Sequence, residues 1–141
     1  MKAKFNKNAK QSFNAKHRKE TLYEAYRVID GDFNTVLDCR VYGSRSTAYA
    51  CLWVYGKGDF YAKGSGKAGG WGYHKTSAAV DDAIDSAGFE LYGSPYIGRE
   101  QNYKKRCNIS GVGDTAIETA LMAIAKTASR KRKLHLVKTY A

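Results

Sequence analysis

Lys63, Lys67, Trp71, Tyr73, His74 and Lys75 are threaded through the most glycine-rich stretch of the chain, where six of its fourteen glycines fall between Gly58 and Gly72. Lysines hold phosphates and aromatic rings stack on bases, so these residue types at this density point toward nucleic acid. Glycine also lets backbone N–H groups approach an anion closely. Gly64-Ser65-Gly66-Lys67-Ala68-Gly69 matches G-x-G-x-x-G, but a dinucleotide fingerprint needs the helix to open at the glycines inside one βαβ unit. Here the preceding strands read as antiparallel, and the helix reads as starting later, near Thr76 or Ser77. No G-x-x-x-x-G-K-[S/T] occurs. No cofactor is therefore expected, and the stretch is either an anion-contacting loop or a strand-to-helix connector.

Other reactive side chains are sparse. His17, His74 and His135 show no partner spacing for a metal site or a catalytic triad. Asp81 and Asp85 share a helix face at i, i+4, where carboxylates opposite an apolar stripe are ordinarily solvated. Cys39, Cys51 and Cys107 form no C-x-x-C pair and their number is odd, which argues against a disulfide framework or a cysteine zinc site. Reduced thiols suit a cytoplasmic protein. No catalytic residue and no metal ligand is assigned, and the expectation leans toward a binding protein rather than an enzyme.

Charge gives the stronger signal. The chain of 141 residues carries a net charge of +11. Residues 1–19 hold seven lysines and arginines without one acid, and residues 126–141 hold six, again without an acid. The body between them has eleven bases and all thirteen acids. A near-neutral body with two basic ends fits a polyanionic partner. The candidate contacts are Lys7, Lys10, Lys16, Arg18 and Lys19 in the first end, and Arg130, Lys131, Arg132 and Lys133 in the second. Lys104, Lys105 and Arg106 in a connection and Lys67, Trp71, Tyr73 and Lys75 in the glycine stretch complete the set.

The elements that must position these residues follow from periodicity. Residues 1–19, rich in Lys, Asn and Ala, read as a flexible basic arm, and residues 20–141 as one α+β domain. Segments 21–29, 34–42 and 47–55 are rich in aromatic and β-branched residues, with turns at Asp30-Gly31-Asp32 and Gly43-Ser44-Arg45-Ser46. In 47–55, Ala48, Ala50, Leu52 and Val54 alternate with Tyr49, Cys51, Trp53 and Tyr55, which predicts a strand covered on both faces. A fourth strand at 59–63 completes an antiparallel meander. Ala79, Val80, Ala83, Ile84 and Ala87 mark one helix, closed by Gly88. A short strand is expected at 89–93. Ile117, Ala120, Leu121, Ile124 and Ala125 mark a second helix, whose start offers a Thr115-x-x-Glu118 capping box. Residues 134–140 form a last strand. The expected architecture is an antiparallel or mixed sheet with two helices on one face. No membrane segment is expected, and nothing sets an oligomeric state.

Two resemblances add to this reading. Asn108-Ile109-Ser110-Gly111-Val112-Gly113 before a helix resembles the pyrophosphate loop of GNAT acyltransferases, with Asn108 where Gln or Arg is usual. That resemblance implies a small acyl-CoA-dependent transferase. Over roughly residues 47–125, AYACLWVYG, the glycine stretch with its helix, and RCNISGVGDTAIETALMAIA are similar to small proteins of bacteriophages, prophages and plasmids. That likeness implies a mobile-element origin and a bacterial cytoplasm. The leading expectation is a nucleic-acid-binding accessory protein, DNA or RNA, with a counter-defence role against CRISPR or restriction systems. The alternatives are an inhibitor that docks on a host nucleic-acid-handling complex and the GNAT-like enzyme.

Overall fold

The period-two segments fold as a single antiparallel sheet. The computed structural model describes residues 1–56, 60–70, 72–95, 105–129 and 133–140, with Tyr73 and Tyr140 as backbone. The strands are β1 (Lys2–Phe5), β2 (Thr21–Asp30), β3 (Thr35–Gly43), β4 (Thr47–Tyr55), β5 (Tyr61–Gly69), β6 (Phe89–Tyr92) and β7 (Leu134–Tyr140). The helices are α1 (Gly72–Ser86) and α2 (Asp114–Ala128), and a 3-10 turn spans Ala15–Lys19. The main sheet runs β5-β4-β3-β2-β7, the expected meander with the C-terminal strand added beside β2. A separate ribbon pairs β1 with β6. None of the described helices is long and apolar enough to cross a membrane.

One face of the sheet carries both helices. The cross-strand row Gly64, Leu52, Cys39, Tyr26 and Lys138 lies on that face. The α1 helix covers its β5 end and α2 its β7 end, where Lys138 Nζ pairs with the Asp114 carboxylate at the start of α2. Burial of Leu37, Leu52, Val54, Ile84, Ile117, Leu121 and Ile124 between sheet and helices forms the core. Each such side chain contributes about 1.5–3 kcal/mol of transfer free energy. Glu24 is buried among them and accepts from the Tyr26 hydroxyl at 2.9 Å. Gly88 adopts φ 92° and ends α1, as its residue type predicts.

The glycines of β5 have a different job from the one their motif suggests. The fourth strand does not stop at Lys63 but runs to Gly69, so Gly64-x-Gly66 is strand and neither an open loop nor a connector. A Cβ on Gly64 would lie 2.4 Å from both Ala83 O and Ala87 N, and one on Gly66 2.2 Å from Ala79 O. These glycines let the α1 backbone rest directly on the strand. Helix α1 correspondingly opens at Gly72 rather than at Thr76 or Ser77, both of which are buried inside it. The Ser77 hydroxyl donates to His74 O and accepts from Gly111 N. The Thr115 capping box does not form, because the N-cap is Gly113, without a side-chain bond.

Residues 1–19 are laid along the body as a strap, in place of the flexible arm their charge suggests. In β1, Ala3 is buried, and Phe5 packs on Phe89 with ring centroids 4.9 Å apart. The chain then follows the outer edge of β5. Ser65 N donates to Ser12 O at 3.2 Å, and Lys63 N donates to the Gln11 side-chain carbonyl at 2.9 Å. Both are outward N–H groups of an edge strand, which would otherwise offer a pairing template. From Phe13 onward the strap lies on the helix-free face.

Candidate nucleic-acid interface

Alternation along each strand decides what the helix-free face displays. Opposite the core row lies the row Lys63, Trp53, Asp38, Arg27 and Val137. Two steps along, past Cys51 and Ser65, Tyr49 stands beside Lys67. At the other end, Tyr55 stands beside Tyr61. Among the described residues the exposed large hydrophobics are Phe33 (83% exposed), Tyr61 (56%), Val137 (47%) and Tyr55 (40%). Three of these lie on this face. Phe33 sits at the β2–β3 turn with φ 63°, in a turn fixed by the Asp30 carboxylate, which accepts from Asp32 N and Asn34 N.

Cations interleave with the rings. Arg40 lies 5.9 Å from the Trp53 ring centroid and pairs with Asp38 at 3.4 Å, which raises its pKa. Lys67 Nζ lies 5.8 Å from the Tyr49 ring. The strap adds to the same surface. His17 stacks on Tyr49 at 4.5 Å and 20°, Arg18 covers Trp53 at 4.8 Å, and Phe13 meets Trp53 at 5.6 Å. Burial and the neighbouring Lys67 hold the His17 pKa below its ordinary value. Burial raises the Tyr55 hydroxyl pKa; Asp38 and Tyr61 add to this, while Arg40 and Arg27 oppose it. Interleaved cations and π faces are the surface on which backbone phosphates and bases are held together.

The sequence-derived candidates divide between the two sides of the sheet. Arg18 and Lys67 share the helix-free face, and Lys16 and Lys19 are exposed in the same 3-10 turn as Arg18. Lys7 lies on the strap beside the α1–β6 turn, Lys10 just before the strap reaches the β5 edge, and Lys133 at the sheet end beside Gly31. Lys75 is occupied elsewhere: its ammonium donates to Ser44 O and Arg45 O, at 3.2 and 3.3 Å, and ties α1 to the β3–β4 turn. Lys105 and Arg106 lie on the helix side, where Arg106 meets Asp85 of α1 at 3.5 Å. Trp71, Lys104, Arg130, Lys131 and Arg132, and the Tyr73 side chain, lie outside the described residues. Sequence alone names Lys63 with the glycine stretch but does not place Arg27, Arg40, Tyr49, Trp53, Tyr55 and Tyr61 in a site. The alternate positions of 47–55 and 61–67 carried the signal, but only strand register joins them to one another.

Two helix-side features bear on the other readings. In the segment before α2, Gly111 N is engaged by Ser77 and Ser110 N donates to the Asn108 side chain at 2.6 Å, so two backbone donors of the GNAT-like loop are already used. Asp81, Asp85, Arg106, Cys107 and Asn108 help line a cavity of about 240 Å³. Burial pushes the Asp81 carboxyl up to about 6 from 3.8, although Ile109 N donates to it at 3.5 Å. The stability linked to this group is fully present below about pH 4 and is lost as pH rises through about 6. Asp81→Asn is therefore expected to raise the melting temperature at pH 7 and to leave it unchanged near pH 4, as read by thermal scans across that range.

No family model, curated protein or solved structure matches the chain.

Proposed function

We propose that this protein binds nucleic acid through the helix-free face of its sheet, as an accessory protein of a phage or other mobile element. The observation that supports the reading is the row Lys63, Trp53, Asp38, Arg27 and Val137, flanked by Lys67, Tyr49, Tyr55 and Tyr61. Basic side chains there would neutralise phosphates, and the rings would meet bases or sugars. Arg18 over Trp53, with Lys16 and Lys19 exposed in the same 3-10 turn, supports the basic N-terminal end acting together with the sheet.

The test is anisotropy of labelled oligonucleotides with the full chain at about 50 and 200 mM salt. With four or five phosphate contacts, affinity is expected to fall about a hundredfold over that interval, because each neutralised phosphate releases counterions. Absence of binding to DNA and RNA at the lower salt would overturn the proposal.

A further inference from the structure

Resting on the reading just given, we infer that the helix-free face takes single strands rather than duplexes, and that Tyr55 and Tyr61 are the rings on which their bases stack. The strap shows what kind of group this face accommodates. Its imidazole lies nearly parallel to Tyr49, and its guanidinium lies over Trp53. Both are flat π groups seated on the rings of β4. Tyr55 and Tyr61 continue the same surface beyond Trp53, on the side away from Tyr49 and His17, and remain exposed. Their rings sit 6.4 Å apart and 61° from parallel, so they lie edge to face and neither covers both faces of the other.

A duplex presents phosphates and sugars at its surface and keeps its bases stacked inside, so two exposed rings on a sheet would find nothing to stack on. A single strand offers an unstacked base with each phosphate, and base–ring stacking tolerates any sequence. Arg27 stands in the cross-strand row of Trp53, next along β4 from Tyr55, and Arg40 lies 5.9 Å from the Trp53 ring, cations that match the charge accompanying every base. An acidic protein surface would satisfy the cations and leave the tyrosine pair unused.

The experiment compares oligo-dT, oligo-rU and a DNA duplex of equal phosphate number against the full chain and its variants. The expected result is single-strand affinity at least about tenfold above duplex affinity at one salt concentration. Tyr55→Ala and Tyr61→Ala should each weaken single-strand binding about tenfold and leave duplex binding unchanged, while Tyr55→Phe retains it. The relative strength of oligo-dT and oligo-rU then tells DNA from RNA. Both tyrosines are exposed, and unchanged melting curves would verify that the alanine variants fold. Equal or stronger duplex binding, with the tyrosine variants neutral, overturns the single-strand inference while the nucleic-acid reading stands. Equal binding to polyglutamate overturns it too, because a bare polyanion surface would then suffice. No binding to any oligonucleotide at low salt overturns both.

Discussion

Gly66→Val is expected to lower the unfolding free energy by about 3 kcal/mol or more, and Gly64→Ala combined with it to leave no folded protein. A Cβ on Gly66 would meet Ala79 O at 2.2 Å and Ala83 N at 2.5 Å, and both atoms belong to the helix backbone. Backbone cannot rotate aside as a side chain can. Helix α1 would have to lift off β5 and take Ala79, Val80, Ala83 and Ile84 out of their contacts. Domain stabilities run to only about 0.05–0.15 kcal/mol per residue, so one such displacement consumes a large share. Gly69→Ala is the internal control. Its Cβ would find Ser46 O at 3.6 Å, an ordinary contact, and its effect should stay within about 0.5 kcal/mol. Urea unfolding of the parent, Gly66→Val and Gly69→Ala proteins reads this directly, as a shift of midpoint at constant slope.

Lys63→Glu combined with Lys67→Glu is expected to weaken nucleic-acid binding about a hundredfold at low salt. The slope of log affinity against log salt should also shrink by about 1.5, the share of two lost phosphate contacts. Both lysines are exposed on the helix-free face, with their ammonium groups over the Phe13 and Tyr49 rings at 5.2 and 5.8 Å. Losing those ring contacts costs about 1 kcal/mol or less apiece at such exposed positions, so the fold should survive. Lys105→Glu with Arg106→Glu makes the same change in net charge on the helix side. There the Arg106–Asp85 pair is solvent-exposed, and such pairs contribute little. If the helix-free face is the interface, this second variant binds within about threefold of the parent. Equal losses from the two pairs would mean that net charge alone, and no particular face, governs binding.

The strap explains why charge was an incomplete guide to the N-terminal end. Seven bases without an acid describe a solvated segment, and most of its lysines are indeed exposed. A few other residues dock it: Ala3 and Phe5 at one end, Phe13 and His17 at the other. Their partners Phe89, Trp53 and Tyr49 are far away in sequence, so no local pattern announces the contact. The basic clusters behaved likewise. Lys67 and Lys75 are eight residues apart and read as one edge of a loop. In the fold, Lys67 faces away from the helices and Lys75 is on α1, tied to a turn.

What the sequence by itself determined is everything that depends on the period of a single element. Alternation in 47–55 assigned both faces of β4, and the apolar stripes of α1 and α2 assigned their buried sides, because a strand repeats every second residue and a helix every 3.6. The meander followed from its short turns, and residues 134–140 were legible as a strand before any partner was known. Tertiary structure alone decided how these periods combine. It placed β7 beside β2, paired β1 with β6, and set the register that aligns Lys63, Trp53 and Arg27 across three hairpin partners and their neighbour. It also settled the meaning of Gly64 and Gly66. In the sequence their lack of a side chain signals conformational freedom. In the fold it signals lack of room, since an opposing helix backbone occupies the space a Cβ would need.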